Sequence, residues 1–242
     1  MYAVEAIGIT KQYKDVTAVD NLSLRINEGE IFSLLGVNGA GKTTAIKMLS
    51  CLTKPTSGDA LVMNHSIISD VSSVKKAIGV SPQETAVAHN LSVKENLELI
   101  CGLYSFSKEK CEVKIKELSE KFRLTEILNK KAGKLSGGWQ RRVSIAMALI
   151  SEPSVLFLDE PTLGLDVIAR SELWDMIRGL KGKVTVILTT HYMEEAEALS
   201  DRIGIMKNGR LLALGSASEL MQRTNSDKFE KAFISIVREV EV

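Results

Sequence analysis

The chain begins with apolar and polar positions in rough alternation. Residues 2–9 read as a strand, and residues 19–26 alternate again through Leu22, Leu24 and Ile26, the period of a half-buried strand. The polar stretch Lys11-Gln12-Tyr13-Lys14-Asp15 between them reads as a loop. Asn27-Glu28-Gly29-Glu30 then turns the chain into a short apolar run at 31–35, and the spacing predicts a helix over 43–51. A turn is expected at 55–59 and a short strand at 60–63, and residues 78–81 lead to Pro82-Gln83-Glu84.

From Ser92 to about Leu128 the pattern becomes helical. Ser92 with Glu95 has the form of a capping box, and residues 107–122 place Val113, Ile115, Leu118 and Phe122 among lysines and glutamates, as in an amphipathic surface helix. The basic stretch 130–134 reads as a solvated loop, and Leu135-Ser136-Gly137-Gly138-Trp139-Gln140 opens a helix to Ile150. An α/β rhythm then returns. A buried strand at 155–158 ends in Asp159-Glu160-Pro161, a helix covers 167–180, and a strand at 184–188 ends at Thr189-Thr190-His191. After a helix through Leu199, two strands at 203–207 and 210–214 flank Asn208-Gly209, a strong hairpin dipeptide. Residues 216–240 read as two helices, with Phe229, Phe233, Ile236 and Val240 on one face of the last. The expected fold is α/β, with an N-terminal antiparallel β region and a helical lobe inserted between two α/β halves.

The chemistry centres on Gly36-Val37-Asn38-Gly39-Ala40-Gly41-Lys42-Thr43-Thr44, which lies between a predicted strand and a predicted helix. It matches the phosphate-binding pattern G-x-x-x-x-G-K-[ST]. Gly36, Gly39 and Gly41 let the backbone curl so that successive N–H groups face one anion. The helix N-terminus adds partial positive charge. Lys42 brings a full charge to the β/γ-phosphates, and the Thr43 hydroxyl can ligate Mg²⁺. A nucleoside triphosphate is the expected ligand.

Composition narrows the setting. The 242 residues are 45% hydrophobic and 25% charged, enough for one large domain or one with a small second lobe. The 31 basic and 30 acidic residues balance to +1, so no nucleic-acid partner is expected. No apolar run reaches the roughly 20 residues that span a bilayer, and residues 1–5 do not resemble a secretion signal. Cys51, Cys101 and Cys111 form no C-x-x-C pair, which fits reduced thiols in a cytosolic protein.

Acids at strand ends beside a phosphate loop are where nucleotide chemistry sits in open parallel sheets. Asp159 is the candidate Mg²⁺ holder, and adjacent Glu160 should point elsewhere and hold the attacking water. A lone histidine is usually structural, but His191 follows Thr-Thr on a strand of the same sheet and could reach the γ-phosphate. Gln83 could bind Mg²⁺ or water. Ser136-Gly137-Gly138 caps a helix and exposes its N–H groups, a second anion site without a lysine.

Taken together, residues 36–44, Gln83, 135–140, 156–161, Gly164-Leu165-Asp166 and His191 resemble the ordered motifs of an ABC-type ATPase. Leu-Ser-Gly-Gly is the most specific of them, and the resemblance covers about residues 2–220. It implies a P-loop NTPase with a RecA-like core in one domain, with a catalytic lobe at 1–90 and 151–220, a helical lobe at 91–150 and a C-terminal helix at 221–242. It also implies a head-to-tail dimer in which Ser136 and Gly138 of one subunit meet the γ-phosphate on the other's Lys42. By the same resemblance Tyr13 stacks on adenine, Glu160 is the catalytic carboxylate, His191 the switch histidine, and Gln83 links the site to a transmembrane permease docked near the helical lobe. Asp166 falls in the loop that crosses the dimer interface. The segments 135–142 and 160–170 look most like bacterial export ATPases for drugs, antibiotics, sodium or polysaccharides. That implies a cytoplasmic subunit, peripheral on the inner face of the membrane. Two alternatives are a soluble assembly ATPase, such as those of iron–sulfur assembly, and a clamp that binds ATP without turnover. Trp139 stands where relatives usually have glutamine, and Met147 where many have arginine.

Overall fold

A computed structural model describes residues 1–239, so the predicted face position Val240 and the rest of the 221–242 segment beyond Glu239 lie outside the described residues. Two sheets carry the fold. Strands β1 (Tyr2–Tyr13), β2 (Val16–Asn27), β4 (Ser57–Val62) and β5 (His65–Ser66) form an antiparallel sheet in the order β2-β1-β4-β5. Strands β3 (Ile31–Leu35), β6 (Ile78–Ser81), β7 (Val155–Asp159), β8 (Thr185–Thr190), β9 (Arg202–Lys207) and β10 (Arg210–Gly215) form the second, in the order β10-β9-β3-β8-β7-β6. All its pairings are parallel except β10 against β9.

The residues of β3, β7 and β8 are all buried, as expected for parallel strands covered on both faces. Their side chains alternate between two cores. Leu156, Leu158, Val186 and Leu188 face helices α5 (Gly137–Leu149) and α6 (Val167–Arg178), whereas Phe157 and Ile187 face α1 (Lys42–Leu49) and the antiparallel sheet. The first core continues into α3 (Val93–Leu103) and α4 (Lys108–Lys121) through Leu97, Ile115, Leu118 and Phe122. A third core joins β9 and β10 to α7 (Met193–Leu199), α8 (Ala217–Arg223) and α9 (Phe229–Arg238), which buries Phe229, Phe233 and Ile236.

Two expectations are corrected and one helix is added. Tyr13 is the last residue of β1, paired with Val16, rather than part of a loop. Val113 is 67% exposed; it sits two residues from Ile115, about 200° away around the helix axis, so it cannot share that apolar face. A short helix, α2 (Val71–Ala77), capped by the Asp70 carboxylate on Ser73 N–H, precedes β6 and was not predicted. The Ser92–Glu95 capping box is present.

Register sets up the site. Leu35 pairs with Thr190 and Asp159 with Thr189. The carboxyl ends of β3, β7 and β8 therefore lie level at one edge of the sheet, where ligands of open α/β folds bind. The β9–β10 turn supports that edge. Asn208 and Gly209 both have positive φ, as a type I′ hairpin requires. Gly209 donates its N–H to Ala40 O at 3.0 Å and accepts from Asp20 N–H at 2.9 Å, fastening the glycine loop to β2.

Candidate nucleotide site

A cleft of about 730 Å³ opens at this edge. Residues 38–44, Gln83, Glu160 and His191 line it together with Val16, Thr17 and Ala18. The loop from Gly36 to Gly41 has its shape because side chains would not fit. A Cβ at Gly36 would sit 2.4 Å from Met206 O, and one at Gly41, where φ is +100°, 2.4 Å from Ala18 O. Gly39 has φ +80°, in the region that favours glycine.

Lys42 starts α1 and is only 5% exposed. Its ammonium donates to Gly36 O at 2.7 Å and Val37 O at 3.2 Å, and stands 3.4 Å from Glu160 Oε1. The other oxygen, Glu160 Oε2, lies 2.8 Å from His191 Nδ1. Glu160 leaves the strand with φ +48°, in left-handed backbone that costs a non-glycine residue about 1 kcal/mol. The turn is fixed by Glu160 N–H, which donates to the Thr189 hydroxyl at 3.0 Å. The adjacent acids thus diverge. Asp159 Oδ1 accepts from Thr43 Oγ1 at 3.0 Å and Thr189 Oγ1 at 2.5 Å, while Glu160 faces Lys42 and His191.

The other predicted residues fall outside this cluster. Tyr13 is 46% exposed and does not line the cleft, although Val16, its pairing partner, does. Ser136, Gly137 and Gly138 sit at the start of α5 and do not line the cleft of their own chain. Ser136 occupies the capping position, but its hydroxyl makes no capping hydrogen bond. The start of α5 is held from behind instead. Gln140 Nε2 donates to Ala132 O and Leu135 O, and Trp139 stacks on the Arg142 guanidinium at 4.5 Å. Arg142 is buried and ion-paired with Glu172 on α6. Asp166 caps α6 through Ile168 and Ala169 N–H. Met147 is buried in the helical core, where its thioether fills apolar space.

Sequence reasoning missed three contributors. Thr189 binds both acids' segment, and the Thr-Thr pair before His191 was its signal. Val16, Thr17 and Ala18 enter the cleft only because β2 folds back along β1. Arg141 looks like a surface residue of α5, but it is buried and donates to Pro82 O at 2.6 Å and Gln83 O at 2.5 Å. It therefore clamps the Gln83 loop to the helix that begins with Ser-Gly-Gly.

The family model described as ABC transporter matches residues 19–163. This chain belongs to the ABC transporter family. Its relatives include the daunorubicin resistance ATP-binding protein DrrA3 of Streptomyces coeruleorubidus, 41% identical over 94% of this chain and 72% of that one. The doxorubicin resistance ATP-binding protein DrrA of Mycobacterium tuberculosis is also 41% identical, over 91% of this chain and 68% of that one. Among solved structures, a dimeric post-hydrolysis form of the ATP-binding cassette MJ0796 with ADP and Pi is 30% identical, with a TM-score of 0.80 over 88% of this chain and 98% of that one. The ABC cassette seen here is therefore an ATP-binding and ATP-hydrolysing domain of the P-loop fold. The iron–sulfur assembly alternative has no support among these relatives.

Proposed function

We propose that the chain is the ATP-hydrolysing subunit of a drug-resistance-type exporter that drives a separate membrane-spanning permease. The observation that carries the chemical half is the arrangement of Lys42, Thr43, Glu160 and His191 within one cleft, with Asp159 bonded to the Thr43 hydroxyl. Among the described residues no helix is long and apolar enough to cross a membrane. The relatives named for daunorubicin and doxorubicin resistance support export.

The loop N–H groups of residues 39–44 and Lys42 hold the β- and γ-phosphates of ATP. Tyr13, at the end of β1 next to the cleft, stacks on adenine. Glu160 accepts the proton of the attacking water, and a His191 Nδ1–H donated to Oε2 orients that carboxylate. Mg²⁺ suits the oxygen donors of Thr43, Asp159 and Gln83, since it takes few carboxylates and fills its shell from phosphate and water. When bound it neutralises charge on the β- and γ-phosphate oxygens.

The Ser136-Gly137-Gly138 helix start then serves the γ-phosphate of a second subunit, so two sites are completed at a two-fold interface. Exposed apolar side chains beside the acid-bearing loop, Leu163, Val167 and Ile168, suit burial by that subunit. The apolar groove between α3, α5 and β6, lined by Leu52, Val80, Ile100, Leu103, Tyr104 and Met147, suits the permease.

Ser136→Arg tests the two-subunit site. Nucleotide affinity of the single subunit should stay unchanged while ATP turnover is blocked; unaltered turnover removes the shared site. The transport half is tested by retrieving Glu160→Gln with Mg-ATP from detergent-solubilised native membranes. A multi-span membrane protein should accompany it, and recovery of soluble partners alone would reject the exporter assignment.

A further inference from the structure

Glu195 lies on α7, four residues past His191, and is completely buried. Its neighbour Glu194 is exposed, so the pair reads in sequence as ordinary first-turn acids. The Glu195 carboxyl instead sits beneath the hydrolytic site. Trp174 Nε1 on α6 donates to Oε1 at 3.1 Å. Two hydroxyls lie against the same carboxyl: Thr190, just before His191, and Thr162, just after Glu160-Pro161. Thr190 Oγ1 also accepts from Tyr192 N–H at 3.0 Å, which leaves its own proton free to turn toward Glu195. Yet Oε2 and the buried Thr162 hydroxyl each make no hydrogen bond.

An ionised carboxylate in the interior needs donors on both oxygens or a paired cation. The charged groups facing Glu195 are Glu160, from the end of β7, and Arg141, from α5. The first repels a negative charge. The second already spends its two terminal nitrogens on Pro82 and Gln83 carbonyls. A protonated carboxyl removes the conflict, because Oε2 then becomes a donor to a hydroxyl lone pair. Burial pushes the Glu195 carboxyl up, and the Glu160 charge adds to the rise, while the Thr190, Thr162 and Trp174 contacts oppose it.

We propose that Glu195 works as a neutral carboxylic acid, a positioning residue that ties the Glu160–Thr162 turn to the Thr190–Tyr192 turn and so holds Glu160 against His191. The two catalytic side chains come from different strands, and this carboxyl is a buried group that reaches both of the segments carrying them. Ionising it would place a second negative charge behind Glu160 and leave Oε2 without a proton to share.

The inference rests on Glu160 being the hydrolytic carboxylate, and its test has one readout that does not. A carboxyl held protonated in the fold stabilises fully only below its unfolded value, ordinarily about 4.5. Its contribution is lost as pH rises above that value toward the folded one. Glu195→Gln, which cannot ionise, should therefore raise Tm at pH 8, with the gain shrinking toward zero as pH falls to about 4.5. A variant less stable at pH 8, or a difference independent of pH, overturns the neutral acid.

The second readout is turnover of the full chain with Mg-ATP. Glu195→Gln should stay within about twofold of the parent at pH 7, with its alkaline limb moved upward, whereas Glu195→Asp, which withdraws the carboxyl by one methylene, should lose about tenfold to a hundredfold. Equal impairment in both, or an unmoved limb, rejects the positioning role. If Glu160→Gln leaves hydrolysis intact, the catalytic assignment falls, while the Tm comparison still judges Glu195 by itself.

Discussion

Lys42→Ala should weaken ATP binding by about 10²–10³-fold and abolish turnover, because it removes one member of a buried charge pair. The ammonium is fixed before any phosphate arrives. It is 5% exposed, and its donors reach Gly36 O and Val37 O, with Glu160 Oε1 at 3.4 Å. Alanine leaves two loop carbonyls without that donor and a buried carboxylate facing the γ-phosphate position without a cation between them. The loss thus has two parts, a missing attraction and an exposed repulsion. A double-mutant cycle separates them, since adding Glu160→Gln to Lys42→Ala removes the repulsion and should restore part of the affinity. Isothermal titration with ATP reads both terms. Affinity unchanged in Lys42→Ala would mean that the cleft holds nucleotide in some other way. Arginine should not rescue the site, because its planar fork cannot occupy the space of a compact ammonium under the loop.

The parts of this site that could be read from sequence are those in which a short stretch fixes both identity and direction. The glycine loop is one: Gly36 and Gly41 are demanded by backbone atoms 2.4 Å from where a Cβ would lie, so composition and geometry carry the same message. The strand end Asp159-Glu160 is another. Its two acids were expected to diverge, and the structure supplies the cause in the left-handed turn at Glu160, held by the Thr189 hydroxyl. Asn208-Gly209 announced its hairpin, although not that the turn would brace the glycine loop.

What sequence could not give depends on contacts between distant segments. Arg141 and Glu195 look like surface charges in helical patterns, and only tertiary packing buries them. Val113 is apolar in character, but its angle on the helix turns it to solvent. Polar neighbours of Tyr13 hide the pairing of β1 with β2, which continues to Val16. Ser136 stands where a capping serine should be, yet its hydroxyl makes no capping bond. In the proposed dimer that leaves the hydroxyl free for the γ-phosphate of the other subunit.

Glu160→Gln should lower turnover by about 10²–10⁴-fold while preserving ATP affinity. That range corresponds to about 2.7–5.4 kcal/mol of barrier. The substitution keeps the size and hydrogen-bonding shape of the side chain and removes its ability to take a proton. Its effect on the neighbours can also be worked out. One amide end must face Lys42 and the other His191, since the parent carboxylate oxygens lie 3.4 Å from Lys42 Nζ and 2.8 Å from His191 Nδ1. An ammonium only donates, so the amide oxygen must take the Lys42 side. The amide nitrogen then faces His191, and Nδ1 must change from donor to acceptor. The variant should thus shift the imidazole tautomer from Nδ1–H to Nε2–H, which nitrogen chemical shifts of labelled histidine report directly. This separates two explanations of a slow enzyme. If turnover falls and the tautomer shifts, the carboxylate was both the proton acceptor and the partner of His191. If His191→Ala abolishes turnover but Glu160→Gln leaves it unchanged, the histidine takes the proton and Glu160 is reduced to a counter-charge for Lys42. A carboxylate ion-paired with an ammonium 3.4 Å away and accepting from the imidazole Nδ1–H favours the first outcome, because the histidine nitrogen beside Glu160 already carries its proton and serves to orient the carboxylate.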